Sequence, residues 1–219
     1  PRTIPTAPCL RPDVSFAACP SPMLTLGIET AADICAVALI DGSRPLVELA
    51  IHTPRSHATR LAPLIREALD HAQAQPTDLD VIAVSAGPGS YTGLRIGLST
   101  AKGLCLASNA ALAPVPTLGA LADAALQSAE PGDGVVVAAR SRRGEIYVAA
   151  FEMSSSELVT TRESAPVSIS DLPNWLPSHP TTWVLGDAAS HVLDALGPTA
   201  RALDSRPSAL PVALRGHQL

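Results

Sequence analysis

The sequence predicts an α/β protein in two lobes, and three observations carry that prediction. A three-strand meander opens it, strands and helices then alternate, and one stretch, Val81 to Asn109, runs strand, glycine turn, helix. Val81 to Ser85 is a short apolar run dense in β-branched residues, the pattern of a buried strand. In the turn that follows, Gly87-Pro88-Gly89-Ser90-Tyr91-Thr92-Gly93, glycines relax the backbone and the proline ends strand pairing. Leu94, Ile96, Leu98, Leu104 and Leu106 then recur among small residues, which predicts a largely buried helix.

From Met23 onward, Leu24 to Ile28, Ile34 to Ile40 and Leu46 to Ile51 read as strands, with turns at Ala31-Ala32-Asp33 and Asp41-Gly42. A helix from about Ser56 to Ala74 follows, with Leu61, Leu64, Ile65, Ala68 and Leu69 on one face. After the central strand and helix come a strand at Leu112 to Val115 and a helix at Thr117 to Gln127, which Thr117 would cap. This order, β-β-β-α-β-α-β-α, is that of the ribonuclease-H-like unit from which the actin, Hsp70 and sugar-kinase superfamily is built. It places a first lobe at 23–115 and a smaller second lobe at 116–219. In the second, Val135 to Ala139 and Glu145 to Phe151 read as paired strands around Arg140-Ser141-Arg142-Arg143-Gly144. Trp183 to Leu185 reads as a further strand and Ala189 to Leu196 as a helix. The proline-interrupted tail from Gly197 carries no predicted element, and no internal repeat is visible.

Residues 1–22 differ in composition, with prolines at 1, 5, 8, 12, 20 and 22 that leave little room for regular structure. Met23 stands directly before the first strand and is the expected natural start, so the leader is expected to be unstructured and not native.

Bulk properties narrow the function. A hydrophobic content of 47% with 16% charged residues excludes a disordered chain, and 3% aromatics demand an aliphatic, alanine-filled core. A net charge of −5 argues against a protein that grips nucleic acid unaided, because that affinity rests on phosphate neutralisation. Cys9, Cys19, Cys35 and Cys105 lack metal-ligand spacing and fit free thiols in a reducing cytosol. Arg95 and Lys102 exclude a simple membrane span through the central helix.

The glycine turn matches no nucleotide motif. A Walker loop needs GxxxxGK[ST], and the nearest lysine, Lys102, lies well down the helix. The dinucleotide fingerprint GxGxxG is missed by one residue, and Ser90 is not in a G-x-S-x-G elbow. On the helix, Gly93, Gly97 and Ala101 fall at i, i+4, i+8 as a side-chain-poor stripe. Residue pattern alone leaves two readings open: the stripe packs on the chain's own sheet, or it meets a helix of another subunit.

With these pieces in place, the chain resembles the bacterial TsaB family, also called YeaZ. The matching residues are Ile28-Glu29-Thr30-Ala31, Cys35 to Leu39, Arg55-Ser56-His57, and above all Gly87-Pro88-Gly89-Ser90-Tyr91-Thr92-Gly93-Leu94-Arg95-Ile96-Gly97. Val115-Pro116-Thr117-Leu118, Arg142-Arg143-Gly144-Glu145-Ile146-Tyr147 and Pro211 to Arg215 also match. The resemblance implies a non-catalytic partner of TsaD, the subunit that makes threonylcarbamoyladenosine in tRNAs reading ANN codons, with the small ATPase TsaE joining the complex. It implies docking on TsaD, and a homodimer when alone, through the first two helices. His57, Leu61, Leu64, Gly93, Arg95, Gly97 and Ala101 are the expected interface. No catalytic residue, metal or cofactor is expected, tRNA is met only indirectly, and the setting is cytoplasmic without a membrane.

Departures mark the limits of the resemblance. Where the catalytic sibling carries two metal-binding histidines, this chain has Thr117 and Leu121, and no HExxH occurs. The superfamily's first phosphate loop follows an aspartate and uses glycine; here Glu29-Thr30-Ala31-Ala32 has a longer acid and none. Arg140-Ser141-Arg142 replaces Asp-Ala-Arg, and Ala213 replaces a tyrosine often found before Leu-Arg. The competing readings are an ATP phosphotransferase or metallopeptidase of the same superfamily, or an independent homodimeric binding module.

Overall fold

The computed structural model describes residues 23–52, 57–141 and 144–219. Its first sheet has the order β3-β2-β1-β4-β5, formed by Leu24–Glu29 (β1), Cys35–Asp41 (β2), Arg44–Ile51 (β3), Val81–Ser85 (β4) and Ala111–Val115 (β5). β1, β2 and β3 are an antiparallel meander, whereas β4 and β5 add in parallel on the other side of β1. Parallel addition needs crossovers, and the helices α1 (His57–His71) and α2 (Tyr91–Ser108) supply them. This is the ribonuclease-H-like arrangement.

The second sheet is built from Gly134–Arg140 (β6), Glu145–Met153 (β7), Leu158–Ser168 (β8), Thr182–Leu185 (β9) and Ala200–Ala202 (β10), in the order β10-β9-β6-β7-β8. Read from β8, it repeats the first sheet strand for strand: an antiparallel meander, then two parallel additions. The repeat is topological, which is why no sequence periodicity betrays it. Short helix α4 (Leu172–Trp175) and α5 (Ala189–Leu196) fill the crossovers.

The last helix of each half leans on the other half. α3 (Thr117–Ala122), which follows β5, packs on β6 and β7. α6 (Ala209–His217) packs on β1, β2, β4 and β5, although it lies within 116–219. The alternation of β1 divides the core accordingly. Leu26 and Ile28 join Leu61, Leu64 and Ile65 beneath α1 and α2, while Ala36, Ala38, Ala209 and Ala213 form a separate cluster under α6. A Cβ on Gly27 would lie 2.5 Å from the Ala209 carbonyl oxygen and 2.7 Å from Ala213 Cβ, so α6 sits directly on the strand. That contact accounts for Ala213: a fully buried position against Gly27 has no space for a tyrosine.

Several sequence expectations are corrected. The tail from Gly197 contains β10 and α6; Ser208 caps α6, and the Glu48 carboxylate accepts the Ala209 and Leu210 N–H groups at 3.0 and 3.2 Å. An anion at that helix end favours the helix where propensity alone is weak. β8 goes unpredicted because it is an edge strand with mostly exposed, polar residues and no clean alternation. Thr117 is the first residue of α3 and not its cap; Pro116 holds that place. The predicted leader, Ser56 and the Arg142-Arg143 pair lie outside the described residues.

Candidate functional site

The site is built where β1 and β4 end. Glu29, the last residue of β1, is 2% exposed. Its Oε1 accepts the Ala31 N–H at 2.5 Å and its Oε2 accepts the Ser85 hydroxyl from the end of β4. Burial pushes the Glu29 carboxyl above its ordinary value, against the opposing pull of Ser85, the Ala31 and Ala32 amides and His57.

From Glu29 the chain runs through Thr30 to Ile34, and this short loop touches both helices. Thr30 Oγ1 donates to the Gly93 carbonyl at 2.9 Å, and the Ser90 N–H donates to the Ala31 carbonyl at 2.6 Å. Across the loop, His57 Nε2 lies 3.1 Å from the Ala32 carbonyl oxygen and 2.9 Å from that of Ile34, close enough for its N–H to donate to both. The glycines of the turn make this approach possible. A Cβ on Gly89 would fall 2.4 Å from the Ala31 carbonyl oxygen, one on Gly93 1.9 Å from that of Thr30, and one on Gly97 2.3 Å from Thr30 Oγ1.

Four amides that a phosphate could use are already bonded within the chain. Ala31 N–H is bound by Glu29, Ser90 N–H by Ala31, Gly93 N–H by the Ser90 hydroxyl at 3.3 Å, and Gly87 N–H by Thr117 Oγ1 at 3.1 Å. Thr117 N–H returns a bond to the Gly87 carbonyl at 2.9 Å, so the threonine stitches the turn to α3. Gly87 itself has φ +109°, a conformation for which glycine is needed. Among the described residues, no three His, Cys, Asp or Glu side chains gather to hold a metal ion. Burial raises the Cys35 thiol to about 11, which makes it a core side chain and not a nucleophile.

The expected interface residues divide sharply. Gly93, Gly97 and Ala101 are buried against Thr30 and the chain's own core, so the stripe packs internally. His57, Leu61 and Leu64 are buried too, at the loop and under α1. Of that set only Arg95 is exposed, with its guanidinium 5.4 Å above the Tyr91 ring. Among the motif residues, Thr30 and Glu29 are buried at the hub just described. Gly87 and Pro88 are partly buried, and Gly89, Ser90 and Thr92 form the exposed mouth of α2. Gly144 and Glu145 are exposed at the start of β7, and Tyr147 packs partly buried beside the Val135 and Phe151 cluster. Arg140, whose side-chain Nε donates to the Asp187 carbonyl at 3.1 Å, is tied to the second lobe. Arg142 lies outside the described residues.

What sequence reasoning missed is the opposite face of α2. Tyr91 is 68% and Leu106 89% exposed, and Ser99, Gly103 and Ala107 form a second small-residue stripe beside them. A Cβ on Gly103 would meet nothing within 4 Å. Next to this face a cavity of about 310 Å³ opens between α1 and α2, lined mainly by Ala62, Ile65, Leu69, Ala74, Pro76 and Leu104. A helical wheel would have found this stripe; choosing between the two required knowing which face meets the sheet.

Comparison with known proteins bears on what such a site does. The model of the family described as TsaD, tRNA N6-adenosine threonylcarbamoyltransferase, matches residues 51–175, more than half of the chain. The tRNA threonylcarbamoyladenosine biosynthesis protein TsaB of Escherichia coli (strain K12) is 31% identical over 145 residues, 66% of this chain and 62% of that protein. The Bacillus subtilis (strain 168) protein of the same name is 28% identical over 202 residues, covering 86% and 85% of the two chains. Among solved structures, YeaZ from Pseudomonas aeruginosa superposes with a TM-score of 0.75 at 26% identity, covering 89% of this chain and 91% of that one.

Proposed function

This chain belongs to the TsaB (YeaZ) family, within the group that the threonylcarbamoyltransferase model describes, and on that premise we propose that it is a non-catalytic subunit in threonylcarbamoyladenosine synthesis on ANN-reading tRNAs. It docks on the catalytic TsaD subunit and keeps it active. The observation that supports this most is the crevice at Glu29: four loop amides suited to a phosphate, those of Ala31, Gly87, Ser90 and Gly93, are bound by the chain's own carboxylate, carbonyl and hydroxyls. A nucleotide using those amides would have to displace four intramolecular hydrogen bonds, one of them buried and two partly buried.

Docking is assigned to the outer face of α1 and α2. Tyr91, Arg95, Ser99, Gly103 and Leu106 replace the buried stripe as the contact residues. An exposed leucine and an aromatic–arginine pair beside a smooth stripe suit a partner helix, and the adjacent apolar cavity suits one anchoring side chain. The same face serves a homodimer when TsaD is absent, TsaE joins through the complex, and tRNA is met only through TsaD. No helix among the described residues is long and apolar enough to cross a membrane, and the proposed setting is the cytoplasm.

Size-exclusion chromatography with light scattering, on the chain alone and mixed with TsaD of the same cell, tests the reading. A one-to-one complex formed at the expense of the homodimer is expected. A homodimer untouched by TsaD, or ATP hydrolysis by this chain alone, would remove it.

A further inference from the structure

The loop Thr30 to Ile34 is bound to the first turns of both α1 and α2, and its anchor is a buried carboxyl. Glu29 holds the loop from beneath, Thr30 and Ala31 bond α2, and Ala32 and Ile34 receive His57 at the start of α1. We propose that Glu29, Thr30 and His57 are positioning residues that set α1 and α2 in register through this loop, assembling the docking face from below. The proposal rests on the docking reading of that face for its function, and on the hydrogen bonds alone for its mechanism.

Three features make the loop suited to transmit position and not only to add stability. It is short, so a shift at either end reaches the other. Gly89, Gly93 and Gly97 bring α2 so close to it that neither can move without the other. The carboxyl beneath it is 2% exposed, and among the described residues the titratable group that faces it is His57, from α1. Ionising Glu29 places a negative charge where burial disfavours it, so the knot loosens as pH rises above the ordinary carboxylate range.

Amide hydrogen exchange on the intact chain, with the intrinsic pH dependence divided out, reads the coupling. Thr30→Val keeps the shape and removes the hydroxyl that bonds Gly93, a contact to α2 only. Exchange in the first turns of both α1 and α2 should rise about tenfold, the size expected from losing one buried hydrogen bond. Thr30→Ser should restore both. A rise confined to α2 would overturn the proposal. Should Thr30→Val fail to fold, Glu29→Gln carries the test: it keeps the shape and removes the charge. Wild-type exchange should rise in both first turns with pH, and Glu29→Gln should abolish that rise in both; a wild-type profile flat in either helix would overturn the proposal.

Titrating TsaD into the same proteins separates the two readings. If the wild type does not bind, the docking reading falls and the coupling is judged by exchange alone. If the wild type binds and variants with altered exchange bind equally well, positioning is wrong.

Discussion

Two glycines ten residues apart on α2 give opposite forecasts, and the contrast can be worked from geometry. An alanine methyl at position 93 would stand 1.9 Å from the Thr30 carbonyl oxygen, whereas ordinary contact needs about 3.4 Å. The carbonyl must retreat by more than an ångström, and the loop that carries it is pinned by bonds to Glu29, Ser90, Gly93 and His57. Helix propensity returns about 1 kcal/mol for Gly→Ala. Against it stand about 1–3 kcal/mol of overpacking and about 1–3 kcal/mol for one buried hydrogen bond lost. Gly93→Ala should thus destabilise by about 3 kcal/mol. At Gly103 the same methyl meets nothing within 4 Å. Gly103→Ala should stabilise by about 1 kcal/mol. For a chain of this size each kcal/mol moves the melting temperature by about 2–4 °C, so the two variants should melt about 10 °C apart. Thermal melts followed by circular dichroism suffice. Gly93→Ala melting at or above the wild type would refute the internal packing of the stripe.

Other forecasts follow from the same structure. The carboxyl of Glu29 has its folded value raised, so its stabilising protonated form is present at low pH and its contribution is lost as pH rises above the ordinary carboxylate range. Glu29→Gln should therefore melt higher than the wild type at neutral pH, and the gap should close in acid; a constant gap would show that ionisation is not the cause. Arg215 bonds Asp123 through two nitrogens at 2.6 and 2.7 Å, joining α6 to the 3-10 turn after α3. Arg215→Lys loses the two-pronged geometry and should cost about 1–3 kcal/mol in urea unfolding, while a change below measurement would make the pair ornamental. Ala213→Tyr should prevent α6 from seating on Gly27, read as loss of α6 protection in hydrogen exchange; unchanged protection would contradict that packing.

The first half of the fold was legible because β1, β2 and β4 are buried and apolar, and Val81–Ser85 appears with the bounds its sequence suggests. Ala189–Leu196 was equally plain from helical spacing. β8 was not, because an exposed edge strand carries no core face to pattern. α6 was hidden because its stability comes from contact with Gly27 and from Glu48, far away in sequence. At the site, composition revealed the glycine turn but not its purpose. Gly93 and Gly97 look alike whether they face a partner or Thr30, and only the fold decides. Ser85 gave no signal at all; it matters because parallel pairing of β1 and β4 brings their ends together.

The most direct test of the central claim is the affinity for TsaD of the wild type and of Leu106→Glu, measured by titration calorimetry. Leu106 is 89% exposed, so its replacement should leave the melting temperature unchanged. If the outer face of α2 is the docking surface, losing an apolar anchor and adding a charge should weaken binding by about 30-fold or more, the scale of a 2 kcal/mol hot spot. Equal affinities for the two proteins would contradict the account.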